Sequence, residues 1–227
     1  MGTVTIQKYT YTHPITMIGE EAGICYNADT SNEEKNRRRG LDCLASEHGR
    51  PLEFPDVYMV LSGYSARVIR EWYTHIGGAP TRLQASTRYI DYEHGFDYFT
   101  PPSIDGNDRA KPVYEHMMQT IQSDLRCLDE LGVPREDSAN GLPLGMTTTI
   151  VCKHNLRNLM DMSHQRMCGR AYHEFRQLFT DVCNALREYG KEWEYIVDHY
   201  FMPKCEYRGV CPEKFSCGHR PKKEAQT

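Results

Sequence analysis

Three stretches of this 227-residue chain carry side chains whose types and spacing suit chemistry. The first is Thr81-Arg82-Leu83-Gln84-Ala85-Ser86-Thr87-Arg88-Tyr89, just behind the pair Gly77-Gly78. Its guanidiniums offer bidentate forks and its hydroxyls further donors, a set that fits a phosphate. A polar surface loop has the same composition, and no Gly-x-x-x-x-Gly-Lys-Ser/Thr or Gly-x-Gly-x-x-Gly pattern accompanies it. The second is His154-Asn155-Leu156-Arg157, followed by Arg166. On a helix, Asn155 and Arg166 fall within about 20° of one face and about 16 Å apart along the axis, so they could touch one extended ligand. Arg166 also rides on the apolar stripe of Leu156, Leu159, Met160 and Met167. That position fits either a packed stem with its head in water or a cation aimed into a pocket. The third stretch is Cys205-x5-Cys211-x5-Cys217-Gly218-His219, whose soft and borderline ligands zinc favours. Its gaps exceed the usual two to four residues, so a structural zinc, free thiols and a redox disulfide all fit.

Strands and helices must hold these stretches. Val57-Tyr58-Met59-Val60-Leu61, between Pro55 and Gly63, reads as a short buried strand. A helix should follow, N-capped by Ser65, with Val68, Ile69 and Trp72 inward and a stop at Gly77-Gly78-Ala79-Pro80. The stripe Val113, Met117, Ile121, Leu125, Leu128 predicts a long amphipathic helix ended by Leu131-Gly132. Thr147 to Cys152 is β-branched and reads as a strand, with helices after it over about Asn155 to Met167 and Ala171 to Tyr189, the last stopped by Gly190. Residues 1 to about 50 are polar and poorly periodic, with a charge run from Ser31 to Arg39, and read as a mobile or partner-ordered segment. From Pro203 the composition changes, with three cysteines and the basic end Arg220-Pro221-Lys222-Lys223. The fold class is mixed α/β, with one main part over residues 1–202 and a tail over 203–227.

Composition narrows the function. With 31 acidic and 27 basic residues the formal charge is −4, which gives no polybasic footprint for a nucleic-acid polymer. The longest apolar run, Val57 to Leu61, is far short of the roughly 20 residues that cross a bilayer, so no membrane partner is expected. The start Met-Gly-Thr-Val-Thr-Ile-Gln-Lys lacks the pattern of a secretory signal, and a reducing cytoplasm is the expected compartment. The nine cysteines are therefore read as thiols, with Cys25, Cys43, Cys127, Cys152, Cys168 and Cys183 mostly as small core residues.

The first two stretches together resemble the flavin-dependent thymidylate synthases, the ThyX family, over roughly residues 40 to 190. His48-Gly49-Arg50-Pro51-Leu52-Glu53 is similar to that family's His-Gly-x-x-Ser-Pro-Phe-Glu segment, and Arg70-Glu71-Trp72-Tyr73-Thr74-His75-Ile76 to its Arg-Gln-Trp-Phe-Arg-His-Arg. Ser86-Thr87-Arg88-Tyr89 matches the end of the signature, and Asn155-Leu156-Arg157-Asn158-Leu159 with Arg166, Ala171 and Glu174 matches the later helix. The resemblance implies a curved sheet flanked by long helices, in a homotetramer with active sites shared between chains. It implies FAD as cofactor, dUMP as pyrimidine nucleotide substrate, and NADPH and methylenetetrahydrofolate as co-substrates. It assigns His75, Asn155, Arg157 and Glu53 to the flavin, and Ser86, Thr87, Arg88 and Arg82 to the nucleotide. Arg166 falls at the pyrimidine ring, with Arg166 and Ser86 as the catalytic pair. Such a cation would stabilise charge developing at the uracil carbonyl as C5 becomes nucleophilic.

The sequence also departs from the family pattern. Thr74 and Ile76 stand where the family has arginines, and the glycine loop behind His75 is about two residues longer. Glu71 replaces a phosphate-side glutamine, and Ser138-Ala139 replaces Ala-Arg. A carboxylate facing a phosphate is repulsive, so Glu71 points away, Arg82 compensates, or the ligand is not dUMP. The alternatives to thymidylate synthesis are C5 modification of another pyrimidine nucleotide, such as hydroxymethylation, or flavin and nucleotide binding without turnover.

Overall fold

The computed structural model describes residues 2–92 and 94–222, so Lys223, the last residue of the basic end, lies outside the described residues. The first half runs β1 (Thr3–Ile6), α1 (Pro14–Cys25), α2 (Glu33–Ala45), β2 (Asp56–Ser65), α3 (Ala66–Trp72), β3 (Thr81–Gln84) and α4 (Pro102–Asp105). The second runs α5 (Ala110–Glu130), α6 (Arg135–Ser138), β4 (Thr147–Asn155), α7 (Leu156–Arg166), α8 (His173–Tyr189), α9 (Lys191–Tyr200) and α10 (Lys204–Arg208). The strands form one open antiparallel sheet in the order β1-β2-β4-β3, the mixed α/β class expected. The chain builds two compact units, one of Met1–Thr3, Leu61–Thr74 and Leu83–Val151, the other of Val4–Val60, His75–Arg82 and Cys152–Thr227. Among the described residues no helix is long and apolar enough to cross a membrane.

In the first unit, Ser65 caps α3 as expected, its Oγ accepting from the Val68 N–H at 3.2 Å, and Val68, Ile69 and Trp72 are fully buried. Helix α5 forms where the periodicity placed it, and Gly132 follows it in the left-handed region (φ 78°). The stripe itself needs correction. Val113 is 69% and Met117 47% exposed, whereas their neighbours Tyr114 and Met118, one position round the helix, pack with the expected Ile121 and Leu125 on Phe96 and Met146. A period of 3.6 residues allows two adjacent stripes, and the aromatic neighbours choose between them.

The second unit overturns the reading of residues 1 to 50 as mobile. Helices α1 and α2 touch backbone to backbone, because a Cβ on Gly19 would collide with the Asn36 carbonyl and one on Gly40 with that of Ile15. Asn32 caps α2 by accepting from the Lys35 N–H at 2.9 Å. His13 offers α1 no side-chain cap. Instead Glu192, at the start of α9, accepts from the N–H groups of Ile15 (2.7 Å) and Thr16 (3.0 Å) and from the Thr16 hydroxyl (2.7 Å). The charge run is used rather than merely solvated. Arg39 donates to the Gly19 carbonyl at 2.7 Å, and Arg37 pairs with Glu192 at 3.5 Å. Gly190 ends α8 in extended backbone (φ −177°), and the unforeseen α9 begins directly behind it.

All nine cysteines are free thiols. Of the six expected mostly in the core, Cys43, Cys152 and Cys183 are buried, but Cys25 and Cys127 are exposed and Cys168 is half-buried.

Candidate active site

Strand β4 runs straight into α7, and the junction carries the densest group of candidate residues. Asn155 caps α7, its Oδ1 accepting from the Asn158 N–H at 2.9 Å. The Gly77-Gly78 turn lies against this cap. Gly78 has φ 69°, and a Cβ there would run into the Asn155 carboxamide, so both the backbone and the space require glycine. At the far end of α7, Arg166 donates its Nε–H to His75 Nε2 at 2.8 Å, and its guanidinium lies 4.5 Å over the Phe175 ring. His75 meets the same ring edge-on at 5.8 Å. Arg166 is thus held by a ring face and a ring nitrogen. These two partners orient it.

Accepting from an arginine fixes His75 as the neutral tautomer with its proton on Nδ1. Burial, then the charges of Arg166 and Arg82, push its pKa down to about 4. Beneath it His154, fully buried, sets Nδ1 2.6 Å from Asn158 Oδ1. Burial also takes His154 down to about 4, against the smaller opposing effect of that hydrogen bond. Both histidines bind protons more readily unfolded, so the stability they contribute is complete above about pH 6.5 and is lost as pH falls through 4. Unfolding free energy should drop by on the order of 3 kcal/mol per histidine across that window. Denaturant titrations at several pH values test this. His154→Gln, which keeps a donor toward Asn158, should halve the slope, and a flat profile in the wild type contradicts neutral burial.

Glu53, at the end of a 3-10 turn over Pro51–Glu53, accepts from Arg157 at 2.6 Å and from Arg50 at 3.0 Å. Arg157 first, then Arg50, hold its carboxyl below the usual range. Gly49 lies against the Arg157 guanidinium, where an added Cβ would stand 3.0 Å from Cζ. His75, Arg82, Glu53, Asn155, Arg157 and Arg166 therefore all belong to the second unit. The sequence signalled each of these six, but not Phe175, which packs under Arg166 and His75 from α8.

Ser86, Thr87 and Arg88 belong to the first unit. Ser86 opens a turn, its carbonyl accepting from the N–H groups of Tyr89 and Ile90 (3.2 and 3.1 Å) and its Oγ from that of Arg88 (3.3 Å). Arg88 reaches Glu136 through both Nε (3.1 Å) and Nη2 (3.0 Å). Both partners are more than half exposed, so the pair contributes about 0–1 kcal/mol. Thr74 ends α3 by donating to the Glu71 carbonyl at 2.7 Å, and Ile76 is 73% exposed.

In the tail, Cys205 and Cys211 are buried and Cys217 is exposed. His219 turns away from them to Glu206 at 3.1 Å. Among the described residues no group of His, Cys, Asp or Glu side chains is already gathered for a metal, so the set Cys205, Cys211, Cys217, His219 is not assembled as the sequence suggested.

The second unit thus holds oriented cations beside a neutral imidazole, and the first a hydroxyl-rich turn, within an α/β protein. Residues 7–189 match the family model of the thymidylate synthase complementing proteins, and the chain belongs to that family. It is 31% identical to a flavin-dependent thymidylate synthase of Geobacter sulfurreducens over 90% of this chain and 89% of that one. A flavin-dependent thymidylate synthase of Nitratidesulfovibrio vulgaris is 27% identical over 93% of both chains, and one of Clostridium tetani 24% identical over 95% of this chain and 93% of that one.

Proposed function

We propose that this chain is an FAD-dependent thymidylate synthase, converting dUMP to dTMP with the carbon of methylenetetrahydrofolate and reducing equivalents from NADPH. The observation that carries the reading is Arg166, laid over Phe175 and bonded to a neutral His75. An oriented guanidinium of this kind stabilises negative charge developing at a uracil carbonyl while C5 attacks the one-carbon donor. The donor set suits a flavin: Arg157 and Arg166 supply positive charge, His75 and Asn155 supply polar edges, and Glu53 holds Arg157 in place. When bound, FAD supplies the hydride that completes the methyl group. In this reading Ser86, Thr87 and Arg88 take the nucleotide phosphate, with Ser86 also acting on the reacting ring. Arg82 adds charge beside His75. No cysteine nucleophile is used.

Residues 1–202 form the catalytic part in this reading, and 203–227 its tail. A cytoplasmic setting accords with nine unpaired thiols. A homotetramer would cover the exposed apolar side of α5 at Val113, Met117 and Leu131.

Purified protein should be yellow, run at four times the chain mass, and lose its flavin colour with NADPH. The colour should return under anaerobic conditions only when both dUMP and methylenetetrahydrofolate are present, with a nucleotide product heavier by one methylene. Colourless protein that cannot be reconstituted with FAD overturns the reading. A product carrying a hydroxymethyl group reassigns the substrate chemistry.

A further inference from the structure

We propose that Cys168, Cys205, Cys211 and Cys217 together hold one zinc ion, in a site that pins the end of α7 two residues beyond Arg166. All four thiols line a single cavity of about 470 Å³ in the second unit. Cys168 comes from the turn after α7, and Cys205 from α10. The left-handed Gly209 (φ 72°) carries the chain on to Cys211, whose N–H is fixed on the Pro221 carbonyl at 2.8 Å. Cys217 closes the ring. A Cβ added to Gly169 would sit 3.4 Å from its sulfur, so the peptide after Cys168 and the Cys217 thiol are already neighbours.

The chemistry selects the ion. Four sulfurs with no committed oxygen or nitrogen ligand are a zinc set, because a soft, borderline cation without geometric preference accepts tetrahedral thiolates. The nitrogen ligand expected from the sequence, His219, is engaged by Glu206, and His164 on the cavity wall is engaged by the Met202 carbonyl at 3.0 Å. Binding releases the four thiol protons and leaves a centre of net charge −2. Arg166, Arg170, Lys204 and Arg220 line the same cavity and suit that charge. Among the described residues the four sulfurs do not yet form a metal-holding group. The exposed Cys217, next to the left-handed Gly218 (φ 86°), has the freedom to swing inward. The five-residue gaps, too long for an ordinary zinc knuckle, are explained by the α10 turn that fills the first of them and by a fourth ligand from outside the tail.

The test is elemental analysis of the full, untagged chain purified in reductant without chelator, with a count of titratable thiols. Wild type and His219→Ala should each carry about one zinc per chain. Cys168→Ser and Cys211→Ser should lose it. Protein grown with cobalt should show sulfur-to-cobalt charge-transfer absorption in the wild type that is absent in Cys168→Ser. Zinc-free wild type, whether all nine thiols titrate or four are tied up as disulfides, overturns the proposal, as does full zinc in Cys168→Ser. If the serine variants do not fold, the wild-type zinc content and cobalt spectrum still decide.

Discussion

Turnover should fall by on the order of 100-fold or more when Arg166 is replaced by alanine, because an oriented cation at developing negative charge contributes most in the transition state. The relevant rate is flavin reoxidation in a single turnover with dUMP and methylenetetrahydrofolate. Arg166→Lys should recover little of it. An ammonium keeps the charge but neither lies flat on Phe175 nor reaches His75 Nε2 with a fixed Nε–H. Losing the guanidinium also removes one cause of the depressed His75 pKa, so that histidine should titrate closer to its ordinary value in Arg166→Ala. An unchanged single-turnover rate removes Arg166 from the chemistry.

Phe175 separates positioning from packing. Phe175→Ala should cost about 3–5 kcal/mol, since the ring is fully buried at the start of α8 and leaves a cavity behind. Phe175→Leu keeps most of that burial and loses the face on which Arg166 rests, an interaction of about 0.5–2 kcal/mol. The leucine variant should therefore melt within a few degrees of wild type yet turn over roughly tenfold more slowly, because the guanidinium is no longer held to one orientation. Thermal melts beside single-turnover rates test this. Equal rates for wild type and leucine variant would make Phe175 a core residue only.

Locally encoded features were legible in the sequence. Ser65 announces α3, Gly132 ends α5, and the β-branched run before Asn155 marks β4, because each signal lies within a few residues of its effect. The same holds for the candidate site. Asn155, Arg157 and Arg166 share one helix, and their spacing alone puts them on related turns. What failed depends on distant partners. Phe175 repeats like any core residue of α8, and only the folded chain sets it under Arg166. His154 looked like a polar neighbour of Asn155, and burial turns it into a neutral support for Asn158. The three tail cysteines lie within one short window, while Cys168, which lines the same cavity, stands 37 positions before Cys205.

Helix α1 is the clearest failure and has a consequence of its own. Its start carries a proline and no side-chain cap, and the carboxylate that satisfies Ile15 and Thr16 belongs to Glu192, 177 residues away from Ile15. A ribosome making this protein therefore releases α1 and α2 long before their anchor exists, and a nascent chain halted ahead of position 192 leaves the Ile15 and Thr16 N–H groups without the carboxylate that accepts from them. Truncated translation products should be recognised by proteolysis at their front rather than at their broken end.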